Sequence, residues 1–146
     1  MFVGKLYGED VILKDVKVDE ITYSKRTREK AEQLRKEFDR SVRKDFFNAL
    51  VNNPVKLKEL KKAGITDADI KRMKRGNNPK GWQVHHNLPL DDGGTNDFEN
   101  LTLIQNHLYH KAITNTQRTL TRHLQDADSV DVSWPIPKFN IYPKGE

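Results

Sequence analysis

Residues 27–52 carry the strongest folding constraint in the chain, because their apolar positions repeat with the period of an α-helix. This spacing gathers the apolar side chains on one face. Pro54 follows and cannot continue a helix, which predicts one long helix over 27–52. The repeating positions are Ala31, Leu34, Phe38, Val42, Phe46, Ala49 and Leu50.

Shorter patterns predict the elements on both sides of this helix. The stretch FVGKLYGEDVILKDVKV alternates apolar and polar residues around Gly8, Glu9 and Asp10, which predicts two strands joined by a turn. A second helix is predicted over Val55–Ala63, ending at Gly64. A third should begin with Thr66 as its N-cap and end near Gly76.

The second half of the chain predicts a strand, a loop, a strand and a helix. WQVHH and LTLI (residues 101–104) are short apolar runs, and the loop between them is polar and rich in Gly. The following residues place His110, Ile113 and Gln117 on one helical stripe, with His107 expected one turn earlier on the same side. The proline-rich end should be extended.

These patterns predict a single α+β domain of 146 residues. It would consist of an N-terminal β-hairpin (residues 1–23), a basic helical subdomain (24–76), the strand–loop–strand–helix unit (82–124) and an extended tail (125–146). No apolar run approaches the roughly 18 residues needed to cross a bilayer, so we expect no membrane partner. The N-terminal MFVGKLYGED lacks the pattern of a signal peptide.

Composition restricts the chemistry that the chain can perform. The absence of cysteine excludes disulfides, iron–sulfur clusters and thiolate zinc sites, so any metal ion must be held by His, carboxylate, amide or water ligands. Positive charge is concentrated in residues 24–75, where 17 Lys and Arg stand against eight acids, a balance of +9. Part of this surface is a solvated face with interspersed acids, and the excess favours binding to DNA phosphates. Candidate contacts are Arg35, Arg40, Arg43, Lys44 and Lys111.

Four of the five histidines lie within 26 residues, at His85, His86, His107 and His110. A strand that ends in His-His and a helix that bears histidines can bring imidazoles from two elements to one point, which suits a divalent metal ion. Neighbouring side chains of a strand point to opposite faces, so only one of the pair should face the metal. We assign His85 to the metal and His86 to the general base, with Asn100 pinning the loop or orienting an imidazole.

The segment HHNLPLDDGGTNDFENLTLI, followed by a helix containing YHKAITN, resembles the HNH/endonuclease VII superfamily, also called ββα-metal or His-Me finger nucleases. It is most similar to the bacterial polymorphic-toxin subgroup, whose members share a His-His…His motif. The matching core spans residues 82–117, about a quarter of the chain, and the helical lead-in extends the likeness to about residues 40–117.

This resemblance implies a ββα-metal fold and metal-dependent cleavage of DNA. His86 matches the family's general base, Asn100 its central Asn, His85 a ligand from the first strand and His110 the ligand from the helix. Colicin-type members carry helix histidines four residues apart, whereas His107 and His110 are three apart, so the third ligand stays open among His107, Thr114 and Asn115. The ion could be Mg²⁺, Zn²⁺, Ni²⁺ or Mn²⁺.

The resemblance also implies a biological setting. The chain would be the toxic C-terminal module of a secreted antibacterial effector, acting in the cytoplasm of the target cell and neutralised by an acidic immunity protein. Two alternatives stay open: a phage or restriction endonuclease of the same family, and a non-enzymatic nucleic-acid-binding module with a structural metal. A structural zinc would need four protein ligands, and without cysteine these would take nearly every histidine of the core.

Overall fold

The computed structural model describes residues 2–6, 9–121, 129–137 and 140–143, which have a mixed α+β fold. The predicted turn at Gly8 and the predicted helix end at residues 122–124, including His123, lie outside the described residues. The strands are β1 (Phe2–Leu6), β2 (Glu9–Leu13), β3 (Val16–Ser24), β4 (Trp82–His86), β5 (Leu101–Gln105), β6 (Ser129–Pro137) and β7 (Ile141–Tyr142). The helices are α1 (Arg28–Glu37), α2 (Arg43–Asn52), α3 (Pro54–Lys62), α4 (Asp67–Lys74) and α5 (Lys111–Thr121).

The predicted long helix is present but contains a π-turn. Helices α1 and α2 are joined by the π-helical residues Phe38–Val42, where the backbone N–H of Arg43 bonds to the carbonyl of Phe38. The wider turn shifts the phase of the helix behind it. Phe47 is therefore buried and Ala49 is exposed, which corrects the predicted apolar face.

The next two helices begin where local side chains satisfy their first N–H groups. The Asn53 side chain accepts hydrogen bonds from the N–H groups of Val55 and Lys56, so α3 begins at Pro54. Thr66 and Asp69 form the reciprocal capping box expected from the sequence, and α4 follows it. Both helices contribute buried side chains to the core around α2.

Long-range strand pairing joins the two ends of the chain. Strands β1 and β2 pair antiparallel as expected, but Glu9 and Asp10, expected in the turn, belong to β2. Strand β3, which lies largely within the predicted hairpin segment 1–23, instead pairs antiparallel with β6 over its whole length, from Val16↔Pro137 to Ser24↔Ser129. In a third sheet, β5 lies between an antiparallel β4 and a parallel β7. The described part of the predicted tail (125–146) is thus mostly extended. Its strand β6 pairs with β3, and its strand β7 joins the sheet of β4 and β5.

The strand–loop–strand–helix order of the second half agrees with the prediction. Strand β4 runs into a loop, β5 returns antiparallel to it, and α5 follows after a turn at Asn106–His110. Buried residues of β5 and α5 pack in the two apolar clusters of the core. Among the described residues, no helix has the length and apolar character needed to cross a membrane.

The loop between β4 and β5 is folded back tightly at Gly94. A Cβ atom added to Gly94 would overlap the carbonyl group of Leu88 and approach the carbonyl oxygen of Pro89. Both neighbours are main-chain atoms, and the Gly94 N–H also bonds to the Pro89 carbonyl at 2.9 Å. The position therefore accepts glycine alone without movement of the loop backbone.

We expect Gly94→Ala to lower the free energy of unfolding by on the order of 2 kcal/mol, because the added methyl group forces the loop backbone apart. Urea denaturation of both proteins measures the change. Glu99→Ala, in the same loop at an exposed position, is the matched control. Equal stability of the two variants would contradict this account of the loop.

Candidate functional site

An open cleft of about 710 Å³ lies at the end of β4 and is also lined by residues of α5, by Arg35 of α1 and by Lys25 before α1. Its wall brings together His85 and His86 from the strand and His110, just before α5. These are three of the five histidine and asparagine residues predicted to bind metal or take part in catalysis. Gln83, Thr114 and Gln117 line the same cleft with polar groups. The site is therefore built where elements from distant parts of the sequence meet.

His85 and His110 face each other across this cleft. Their ring centroids are 5.1 Å apart, with the ring planes nearly perpendicular. The Nε2 atom of His85 is buried and has no hydrogen-bond partner among the described residues. Burial, with the nearby His110 and His86, lowers the pKa of His85 to about 3, so its imidazole is neutral at pH 7. A neutral, unpartnered imidazole nitrogen is a suitable ligand for a divalent metal ion.

His110 is held in place by two polar side chains. The Gln83 amide nitrogen lies 2.7 Å from Nδ1 of His110, and the Thr114 hydroxyl lies 3.4 Å from Nε2. Burial lowers the pKa of His110, and the charge of Arg118 adds to that effect. A carboxamide offers an oxygen in place of its nitrogen after a half-turn, so Gln83 can orient either neutral tautomer of the ring. The chemistry of this pair of imidazoles fits a metal ion.

His86 points to the other side of β4, as neighbouring residues of a strand must. Its Nε2 lies 3.0 Å from Oδ1 of Asn96, and its ring meets that of Phe38 edge-on with centroids 4.6 Å apart. Burial lowers the pKa of His86 to about 4, against the opposing effect of the Asn96 hydrogen bond. The imidazole is neutral at pH 7 and can accept a proton.

Asn100 fastens the loop between β4 and β5. Its Oδ1 accepts from the Leu88 N–H at 2.8 Å, and its Nδ2 donates to the carbonyls of Leu88 and Thr95. These bonds correspond to the first of the two roles considered for Asn100, pinning the loop. The side chain that bonds to the His86 imidazole is that of Asn96. No sequence pattern had indicated a role for this residue.

The structure does not bring His107 to the cleft. Its backbone is extended (φ −93°, ψ 127°), so the helical register breaks there, and its side chain is exposed. The expected common helical face of His107 and His110 is therefore not observed. Of the two other candidates for a third ligand, Thr114 lines the cleft and Asn115 does not. The described residues contain no group of three or more His, Asp or Glu side chains placed to hold one metal ion.

The cations of the cleft differ in part from those expected. Arg35, one of the predicted DNA contacts, lines it together with Lys25 and Arg118. Arg43 instead stacks over the Phe38 ring at 4.8 Å and pairs with Asp39 at 2.6 Å. Arg40, Lys44 and Lys111 are exposed outside the cleft. Helical spacing could have identified Arg118, because it lies eight residues after His110 on the same stripe as Thr114 and Gln117.

Asp91 and Asp92 also line the cleft, and they fasten the loop to the chain before α1. The Arg26 N–H donates to the Asp91 carbonyl at 2.6 Å, and the Lys25 ammonium lies 3.7 Å from the Asp92 carboxylate. Burial raises the pKa of Asp92 to about 6.

No protein-family model matches the chain, and no solved structure matches it. The chain is similar to the uncharacterized protein YhhZ of Escherichia coli, with 42% identity over 144 residues. The match covers 97% of this chain and 35% of the relative, so the chain spans about a third of that protein's length.

We expect the free energy of unfolding to fall as pH decreases from 6.5 towards 4. His85 and His86 have folded pKa values of about 3 and about 4, below the 6.5 of unfolded histidine, so unfolding takes up their protons. Asp92, whose pKa is raised, opposes this with one proton. Each proton is equivalent to about 1.4 kcal/mol per pH unit.

Urea denaturation at pH 7, 6 and 5 measures this slope. His86→Gln should make it shallower, because one of the two strongly shifted groups is removed. His107→Gln, which removes an exposed imidazole, is the matched control. A slope that is unchanged in His86→Gln would contradict the assignment of the shift to His86.

Proposed function

We propose that this chain is a metal-dependent endonuclease of the HNH/endonuclease VII (ββα-metal) superfamily, which hydrolyses phosphodiester bonds of DNA. In this reading β4, β5 and α5 are the ββα-metal motif. One observation carries the proposal: His85 and His110 converge across a cleft that also holds the neutral imidazole of His86. This arrangement supplies two metal ligands and a separate proton acceptor in one cavity.

His85 and His110 would hold the divalent ion, whether Mg²⁺, Zn²⁺, Ni²⁺ or Mn²⁺. Such an ion stabilises negative charge on the phosphate and on the leaving oxygen. The open cleft leaves room beside the two imidazoles for water and phosphate oxygens, as a catalytic site requires. A purely structural zinc site would instead be closed by four protein ligands.

His86 would act as the general base. It accepts a proton from a water molecule whose oxygen attacks phosphorus, and the bond from phosphorus to the leaving sugar oxygen breaks. That oxygen leaves with the bonding electrons and is protonated from solvent. The low pKa of free His86 keeps the ring unprotonated, and the negative charge of a bound phosphodiester raises its affinity for the proton.

Lys25, Arg35 and Arg118 would bind the backbone of the substrate. They line the cleft from β3–α1, α1 and α5 and present positive charge around the histidines. Cations in this position neutralise phosphates on both sides of the scissile bond and attract a polyanion. The +9 balance of residues 24–75 extends this field beyond the cleft.

The proposal includes a role as the toxic module of a secreted antibacterial effector that acts in the target-cell cytoplasm. Its support is the family resemblance and the match to one segment of a longer relative. An acidic immunity protein would complement the basic surface. The same nuclease in a phage or restriction system would use the same site.

His86→Ala should abolish cleavage of supercoiled plasmid while binding of DNA and of metal persists, because the variant loses the proton acceptor and keeps both ligands. The assay compares Mg²⁺, Mn²⁺, Ni²⁺, Zn²⁺ and EDTA, with His107→Ala as the matched control. Retained cleavage in His86→Ala would remove the base assignment. A wild type that shifts DNA in gels and cleaves with none of the ions would be a binding module.

His110→Ala should lower metal affinity by more than about 100-fold, since it removes a direct ligand, and loss of a mere supporting residue already lowers affinity 10- to 100-fold. Calorimetric titration with Mn²⁺ or Ni²⁺ measures the change, and His85→Ala should behave alike. His107→Ala should bind as the wild type does. Unchanged titration in His110→Ala would refute the ligand pair.

A further inference from the structure

We propose that Asn96 is a positioning residue that fixes the tautomer of His86 and so selects Nδ1 as the atom that accepts the proton. This inference rests on the proposed nuclease function for its catalytic consequence. The tautomer itself follows from hydrogen bonds of the described residues and can be measured without any substrate.

The orientation of the Asn96 carboxamide is determined by a main-chain group. Its Nδ2 lies 3.0 Å from the carbonyl oxygen of Leu34 in α1. A carbonyl oxygen only accepts, so the nitrogen and not the oxygen of the amide must face Leu34. The Oδ1 atom therefore faces His86, 3.0 Å from Nε2.

The same reasoning then fixes the proton on the imidazole. An amide oxygen carries no hydrogen, so the bond to Asn96 exists only when Nε2 of His86 is protonated. A neutral imidazole has one N–H, which leaves a lone pair on Nδ1. The proton acceptor of the ring is therefore Nδ1. In the other neutral tautomer, the lone pair of Nε2 would face the Asn96 oxygen, and no hydrogen bond could form.

Packing partly shields the Asn96 side of the imidazole from water. His86 is 6% exposed, and its bond to Asn96 is partly buried. The Phe38 ring, carried by the π-turn between α1 and α2, meets the imidazole edge-on and restricts its rotation. A lost hydrogen bond in such a place is not readily replaced by water.

The two residues before Asn96 are each held by a hydrogen bond. Asn100 Nδ2 donates to the carbonyl of the preceding residue, Thr95, at 2.8 Å. The Arg26 guanidinium donates to the Gly94 carbonyl at 2.8 Å, which joins the loop to the chain before α1. Two hydrogen bonds, from Asn96 to Leu34 and between Asn96 and His86, thus connect helix α1 to the proposed general base. The sequence of the His85–His86 pair by itself does not determine which nitrogen of His86 carries the proton.

The first test is the tautomer of His86 in the metal-free protein at pH 7. Long-range ¹H–¹⁵N correlation spectra of ¹⁵N-histidine-labelled protein distinguish a protonated from an unprotonated ring nitrogen, and His86→Gln assigns the signals. We expect Nε2–H in the wild type and a mixture of tautomers in Asn96→Ala. Asn96→Asp loses the donor to Leu34 but keeps an acceptor oxygen for His86, so Nε2 should stay protonated. A wild type with Nδ1–H, or an unchanged spectrum in Asn96→Ala, overturns the proposal.

The second test is cleavage of supercoiled plasmid by the same proteins. Asn96→Ala should lower kcat at least tenfold with KM for DNA and metal affinity unchanged, and Asn96→Asp should recover part of the loss. Glu99→Ala, at an exposed position, is the control for a truncation in this loop. Wild-type kcat in an Asn96→Ala protein with mixed tautomers overturns the positioning role. Absence of cleavage in the wild type refutes the nuclease proposal instead, whatever the spectra report of the tautomer.

Discussion

The hydrogen bonds of Asn87 are the constraint on which the arrangement of the site depends. Asn87 follows His86 directly and is buried, and its carbonyl accepts from the Gln117 amide of α5 and from the Trp134 indole of β6. Its N–H donates to the Asn100 carbonyl, and its side-chain oxygen accepts from Thr102 of β5. Buried polar groups without partners cost about 1–3 kcal/mol each, so these bonds strongly favour one position for the end of β4.

The fixed end of β4 allows His85 and His86, which point to opposite sides of the strand, to line the same cleft. Within a strand, His85 and His86 would belong to different faces of the sheet. Because β4 stops at His86, its ring can border the cleft while it packs on Phe38, and His85 turns to His110 of α5. Burial then lowers the pKa of both rings, which keeps them neutral for two different tasks. The two adjacent histidines therefore have different neighbours: His85 lies beside His110, and His86 contacts Phe38 and Asn96.

Local patterns in the sequence predicted most of the elements, and tertiary contacts decided the rest. The Thr66 capping box and the strands around the β4–β5 loop follow from short-range rules, and all are present. The pairing of β3 with β6 joins segments far apart in the chain. The π-turn at Phe38–Val42 and the extended backbone at His107 interrupt helical periods that the sequence had suggested. The sequence predicted that His85 and His110 lie close together. It did not indicate Asn96, because the bond of Asn96 to Leu34 joins residues that are 62 positions apart.

The basic helical segment is part of the site as well as a charged surface beside it. Charge counting predicted that residues 24–75 attract a polyanion, and it could not distinguish cations that face the cleft from those that face solvent. Lys25 and Arg35 line the cleft, whereas the Arg26 guanidinium binds the loop at Gly94 and the Leu34 carbonyl holds Asn96. Phe38, from the same segment, packs against His86. The helical segment also shares its apolar core with Trp82 of β4 and with Leu101 and Leu103 of β5, so it supports the strands as well as the groups that hold His86. The long helix whose periodicity dominates the sequence therefore also sets the orientation of the proposed base.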